Sequence, residues 1–169
     1  MSLIAPPDPA WTGQAMAEIG RWMADVPNLL KVHHIGSTSV PGLPAKPVID
    51  LLPVFTDAAA RDRAKEAVTA LGYDWLGENG LEGRAYARRD CPDTGRRLFH
   101  AHCYAGGHPG IRRHLAFRDA LRDNAALRAG YTSVKAACAS RHPDGGRDYQ
   151  ACKSDWIDQV EAKALERLT

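Results

Sequence analysis

Apolar side chains recur along this chain in two rhythms, one close to 3.6 residues and one of two, and the exchange between them outlines the elements. Trp11, Ala15, Ile19, Trp22 and Met23 recur at helical spacing, which predicts an amphipathic helix with its aromatics in the core. Asp8 is placed to cap that helix with Pro9 at its first position, and the residues from Ala5 to Pro9 form an extended lead-in. Leu29 to Ile35 reads as a strand that ends at a glycine turn, and Pro47 to Phe55 as a second strand rich in Val, Ile and Leu. Pro53 has no backbone donor, so the second strand is expected at a sheet edge, or with a bulge beyond Leu52. Ala60, Ala64, Ala67, Val68 and Leu71 predict one helix across 57–71, stopped by Gly72 in the C′ position. Short strands are expected over 73–76 and 84–89, separated by the turn Glu78-Asn79-Gly80, and a longer alternating strand over 97–104. The rest reads as helix: 109–122, then from an Asn124 cap to about 140, then about 148–168. The predicted class is a mixed-sheet α/β or α+β domain with a helical C-terminal third, a single unit over 1–169.

Composition narrows the function classes. The chain has 169 residues, 44% hydrophobic and 25% charged, which is ordinary for a globular protein with room for its own core. A net charge of +2 is too small to argue for nucleic acid as a partner. Arginines nevertheless crowd one region, with Arg84, Arg88, Arg89, Arg96 and Arg97 followed by Arg112, Arg113 and Arg118. Such a cluster is either a solvated face or a surface that meets an anion. Cys91, Cys103, Cys138 and Cys152 form neither a CxxC pair nor a zinc knuckle, so they are read as reduced thiols and the expected location is cytoplasmic. No apolar run approaches the length of a membrane span, and no signal segment opens the chain.

Candidate chemistry concentrates between His34 and Asp50. Gly36, Ser37, Thr38 and Ser39 offer successive backbone N–H groups and three hydroxyls, a cradle for phosphate oxygens or else a Ser-rich turn between strands. The Gly-Lys-Ser/Thr of a Walker A loop is absent. Asp50 interrupts an apolar run, where a carboxylate is costly unless paired or metal-bound. Period-two geometry points Asp50 and Leu52 to one face and Leu51 to the other, and puts Lys46 on the Asp50 face to meet a phosphate or the carboxylate. His100 and His102 share one side of a later strand and are suited to bind a metal, move protons, donate to a phosphate, or hydrogen-bond structurally. His34 is the next candidate; His33 is expected to face away, His108 to sit in a loop, His114 on a helix surface and His142 at a helix C-terminus. Tyr131 with Lys135, and Tyr149 with Lys153, stand four apart on helices, as surface pairs or as a face that contacts an anion together with Arg118.

The run His-Ile-Gly-Ser-Thr-Ser-Val-Pro-Gly-Leu-Pro-Ala-Lys-Pro-Val-Ile-Asp, from His34 to Asp50, resembles the signature of the GrpB family, a UPF0157-type group of bacterial proteins. Gly72-Tyr73, Gly83-Arg84, His100 with His102, Phe117-Arg118-Asp119, Tyr131, Lys135, Tyr149 and Lys153 extend the resemblance over nearly the whole chain. Similar domains occur fused behind dephospho-coenzyme A kinase, whose P-loop this chain does not contain.

The resemblance implies the nucleotidyltransferase fold of the DNA polymerase β superfamily, a mixed sheet flanked by helices. There a Gly-Ser turn precedes a strand bearing Asp-x-Asp or Asp-x-Glu, and a later strand adds a third acid. Gly36, Ser37 and Asp50 match this pattern, whereas Leu52 stands at the second acid and His100 and His102 on the later strand. The implied activity is nucleotidyl transfer to an unnamed acceptor, with a nucleotide or other small phosphate compound as partner. Gly36, Ser37, Thr38, Ser39, Lys46, Arg84 and Arg118 would bind phosphate. Asp50, His100 and His102 would be catalytic and hold Mg2+ or Mn2+. Two further readings accompany it: a non-catalytic binder of a nucleotide or coenzyme A precursor, and a transition-metal hydrolase using Asp50, His100, His102 and His34.

Overall fold

Strands β1 (Leu29–Ile35), β2 (Ile49–Phe55), β3 (Asp74–Trp75), β4 (Ala85–Asp90) and β5 (Arg97–Ala105) form one sheet, ordered β1-β2-β5-β4-β3, in the computed structural model, which describes residues 2–168. β2 and β5 run parallel and the other neighbours antiparallel, so the sheet is mixed, as expected. Six α-helices flank it among the described residues: α1 (Ala10–Asp25), α2 (Ala58–Arg63), α3 (Lys65–Ala70), α4 (Pro109–Asp123), α5 (Ala125–Arg141) and α6 (Gly146–Glu166). None is long and apolar enough to cross a membrane.

Side-chain alternation along the strands decides what each face meets. Leu51, Phe99, Ala101 and Cys103 are buried against Ala15 and Trp22 of α1, Ala60 of α2 and Val68 of α3. Leu52, Val54 and Tyr104 point the other way, onto Ile111 and Leu115 of α4. A third cluster joins Val40 and Leu43, from the segment between β1 and β2, to Leu121 of α4, Tyr131 of α5 and Trp156 of α6. The helical C-terminal third is thereby fastened over the chain that leaves the glycine turn. Each large apolar side chain removed from water in these clusters contributes roughly 1.5–3 kcal/mol.

Local signals set most boundaries. Asp8 Oδ1 accepts the Ala10 N–H at 2.9 Å, Asp57 caps α2 through the Ala60 N–H, and Asn124 Oδ1 takes the first free N–H groups of α5. His108 caps α4 ahead of Pro109, and His142 ends α5.

Several expectations are corrected. β2 lies inside the sheet, not at its edge: Pro53 pairs with Val32 of β1, and the β2–β5 register skips Leu52 and Pro53 because proline brings no N–H to the ladder. The helix expected over 57–71 is two helices, since the Ala64 N–H closes a tighter turn on the Arg61 carbonyl. Met23 is 47% exposed while Trp11 and Trp22 are buried, so α1 turns only its aromatic edge inward. Cys138 and Cys152 are joined in a disulfide between α5 and α6, leaving Cys91 and Cys103 as thiols. The hairpin of two helices brings together cysteines whose spacing in sequence carries no pairing signal.

Candidate functional site

The chain leaves β1 at Gly36 with φ 70 and ψ −173, a conformation reserved for glycine. Glycine is required there a second time, because a Cβ at Gly36 would stand 2.5 Å from Oδ2 of Asp50. A 3₁₀ turn, Ser37–Ser39, follows. Ser39 Oγ donates to the Gly36 carbonyl at 2.6 Å, and Thr38 Oγ1 is 2.9 Å from Nε2 of His34. Thr38 and Ser39 are buried and build the turn, while Gly36 and Ser37 face an open cleft.

Asp50 occupies one position in a row that crosses the sheet. It pairs with Ile35 of β1 and with His100 of β5, which in turn pairs with Arg88 of β4. His100 Nδ1 lies 3.1 Å and His102 Nε2 lies 3.4 Å from Asp50 Oδ1. Arg97, itself paired with Asp90, donates to His100 Nε2 at 3.2 Å. That donation assigns the His100 proton to Nδ1, so both imidazoles donate to one carboxylate oxygen. Burial pushes the Asp50 pKa up, but the hydrogen bonds from His100 and His102 outweigh it and hold the group well below the usual carboxylate range. His102 Nδ1 is buried without a partner among the described residues, and burial lowers the pKa of this imidazole. His114 is not a surface residue: its ring lies 5.1 Å from His102, and burial, then the neighbouring His102, push its pKa down to about 2.

The opposite wall comes from α5 and α6. Lys135 is 2% and Lys153 is 7% exposed. Lys135 Nζ donates to Ser37 Oγ at 3.2 Å and to the Pro44 carbonyl, and lies 4.6 Å from the centre of the Tyr131 ring. Lys153 Nζ lies 4.2 Å above the Tyr149 ring. Neither lysine has a carboxylate within ion-pair distance among the described residues. The two pairs that spacing left open between a helix surface and an anion-contacting face are thus buried at the cleft. The cleft measures about 710 Å³. It is also lined by Lys46, by Arg84, and by Arg113, whose guanidinium is taken up by Glu161 at 3.1 Å.

The fold therefore gathers most, but not all, of the residues expected to act together. Gly36, Ser37, Lys46, Asp50, Arg84, His100 and His102 line one cavity. Lys46 does so from the segment before β2 and not from a strand position. Arg84 is anchored by the carbonyls of Glu78 at 3.1 Å and Asn79 at 2.9 Å, and stacks on Tyr86. Arg118 stays outside the lining: it pairs with Asp119 and donates to the His34 carbonyl at 3.2 Å, bracing β1 from behind. Tyr131, Lys135, Tyr149 and Lys153 complete the site. Their sequence signal is a lysine four residues after a tyrosine, twice, which aligns each ammonium with a ring face.

A divalent ion at Asp50 would need hard oxygen ligands. The imidazole nitrogens that donate to Oδ1 have no lone pair to offer, and Leu52 is fully buried where a second acid would stand. Among the described residues no group of three or more His, Cys, Asp or Glu side chains is arranged to hold a metal ion. The residues present do not fit Mg2+ or Mn2+, nor the ligand set of a transition-metal hydrolase.

Comparison with known proteins bears on the family and the fold. The pattern of the GrpB protein family matches residues 3–163. UPF0157 protein YqkA of Bacillus subtilis is 39% identical over 138 residues, which are 82% of this chain and 39% of that protein. A dephospho-CoA kinase of Mycolicibacterium paratuberculosis is 31% identical over 190 residues, covering 96% of this chain and 46% of the kinase. The chain thus spans less than half the length of either relative. The crystal structure of conserved protein GrpB from Enterococcus faecalis superposes with a TM-score of 0.88 at 38% identity, over 98% of both chains. A Cid1 poly(U) polymerase with Mg and 3′-dATP bound superposes with a TM-score of 0.58 at 13% identity, over 88% of this chain and 49% of that one, a likeness of fold alone. The sheet and its flanking helices share their fold with the Cid1 structures, and the chain belongs to the GrpB family.

Proposed function

We propose that this chain binds a nucleotide, or a compound with a comparable phosphate chain, between the Gly36–Ser37 turn and the Lys135–Lys153 pair. The observation that carries the reading is the burial of two ammonium groups, without carboxylate partners, against a turn rich in N–H and hydroxyl donors. An unpaired buried charge costs several kcal/mol, and a polyanionic ligand is what would offset it. The known neighbours are compatible: one relative is a dephospho-CoA kinase, and the Cid1 structures include a UTP analogue and 3′-dATP. Thermal melting with ATP, CTP, GTP, UTP, coenzyme A and dephospho-coenzyme A tests it. A ligand present at 100 times its Kd adds about 2.7 kcal/mol, and so raises Tm by roughly 5–10 °C for a chain of this size. A Tm unmoved by every compound would contradict the proposal.

A second reading, nucleotidyl transfer, is favoured by Asp50 on the strand that follows the Gly-Ser turn. In that reaction an acceptor hydroxyl oxygen bonds to the α-phosphorus while its proton passes to water in the cleft. The bond from the α-phosphorus to the bridging oxygen breaks, and pyrophosphate leaves on the lysine side. Asp50→Asn loosens the hold on His100 and His102 and is expected to abolish pyrophosphate release; an unchanged rate would remove Asp50 from the chemistry.

A further inference from the structure

We infer that Lys135 and Lys153 take the place of divalent cations in this cleft, so that a phosphate chain is bound without metal. This rests on the phosphate-binding reading above and assigns its charge partner.

An ammonium has three N–H donors. Lys135 commits two, to Ser37 Oγ and the Pro44 carbonyl, which tie it to the turn. Lys153 makes no hydrogen bond to the described residues and leans only on the Tyr149 ring. The remaining donors, beside the backbone of Gly36 and Ser37, make a cationic corner within the same cavity as Asp50. A phosphate placed near Asp50 needs positive charge between the two anions. The imidazoles saturate Oδ1 from the sheet side, and no second acid exists to retain a metal, so the lysines are the charges available.

Their positions are fixed before any ligand arrives. The Cys138–Cys152 disulfide joins α5 to α6 within one turn of Lys135 and next to Lys153. The tyrosine rings hold each ammonium by its charge while leaving N–H groups unsatisfied. Little ordering remains to be done on binding, which favours affinity.

Calorimetric titration of the full chain with inorganic tripolyphosphate, once in EDTA and once in excess Mg2+, tests the inference. Binding in EDTA is expected to equal or exceed that in Mg2+, because Mg2+ competes for the same oxygens. Lys135→Met and Lys153→Met should each weaken it roughly 10- to 100-fold, the loss of a hydrogen bond to a charged group. Lys135→Arg and Lys153→Arg should restore most of it. Binding that appears only with Mg2+, or Met variants that bind as the parent does, would overturn the lysine assignment and leave the phosphate reading standing. The wild-type comparison decides this even if a variant fails to fold. Failure of tripolyphosphate and of nucleoside triphosphates in both buffers would overturn both.

Discussion

The carboxylate of Asp50 lies against the backbone of Gly36 with no room for a methyl group between them: a Cβ would stand 2.5 Å from Oδ2. Turn and acid are therefore one unit, fixed by β1–β2 pairing at Ile35 and Asp50. Gly36→Ala meets both this clash and a backbone conformation that side chains avoid. It is expected to destabilise the fold by about 2–4 kcal/mol in urea unfolding and to abolish ligand-induced stabilisation. A stability within about 0.5 kcal/mol of the parent would show that the turn relaxes freely.

Lys153 should be a liability to the fold when no ligand is bound. It is buried, and its ammonium has neither an ion pair nor a hydrogen bond among the described residues. Lys153→Met keeps the volume and removes the charge, so the unliganded variant is expected to melt higher by roughly 1 kcal/mol equivalent while responding less to phosphate compounds. A lower Tm would mean that the charge stabilises the empty protein.

The two lysines also predict opposite pH slopes for folding and for binding. Burial, then the neighbouring Lys153, push Lys135 from 10.5 down to about 7. Burial takes Lys153 to about 8, with Asp50 pulling it up and Lys46 pushing it down. The other charged or titratable groups of the cleft walls are Arg84, Tyr86, His100, His102, Arg113, His114, Tyr131, Tyr149, Asp158 and Glu161. As pH rises through 7 and 8 the folded lysines lose protons that the unfolded chain keeps up to 10.5, so their cost to folding shrinks and unliganded stability rises in that window. A polyanion needs the ammonium forms, so affinity falls over the same range. Titrations of the parent, Lys135→Met and Lys153→Met across neutral to alkaline pH check this, and parallel slopes for stability and affinity would refute it.

Glu18 is the control on the far face of the sheet. It is 3% exposed, accepts from the Tyr73 hydroxyl at 2.8 Å, and pairs with Arg21 at 2.9 Å and Arg89 at 3.1 Å. Glu18→Ala strands Arg89 and is expected to cost about 3–5 kcal/mol. Ligand affinity of the folded fraction should not change, because this network belongs to the α1 side. A selective loss of affinity would link the two faces.

How much of this was legible in the sequence follows from the range of each interaction. The bounds of β1 are legible because its apolar run meets a glycine at the residue where the strand stops. Asp50, His100 and His102 could be grouped because a charge in an apolar run and a two-residue repeat are both local patterns. The lysines could not be placed. A Tyr and a Lys four apart look the same on a solvated helix as on a buried one, and the contact that decides the matter joins Lys135 to a serine 98 residues earlier. The inward position of His114 is hidden for the same reason: the face of α4 that meets His102 is set by packing. The Cys138–Cys152 link likewise depends on how α5 and α6 fold back on each other.

The most direct test is a crystal structure of this chain grown with a non-hydrolysable nucleoside triphosphate analogue in EDTA. The account predicts phosphate oxygens within hydrogen-bond distance of the Gly36 and Ser37 backbone and of both Lys135 and Lys153 Nζ atoms, with Asp50 still held by His100 and His102. A triphosphate bound elsewhere, or seated in the cleft with its phosphates turned away from the two lysines, would contradict it.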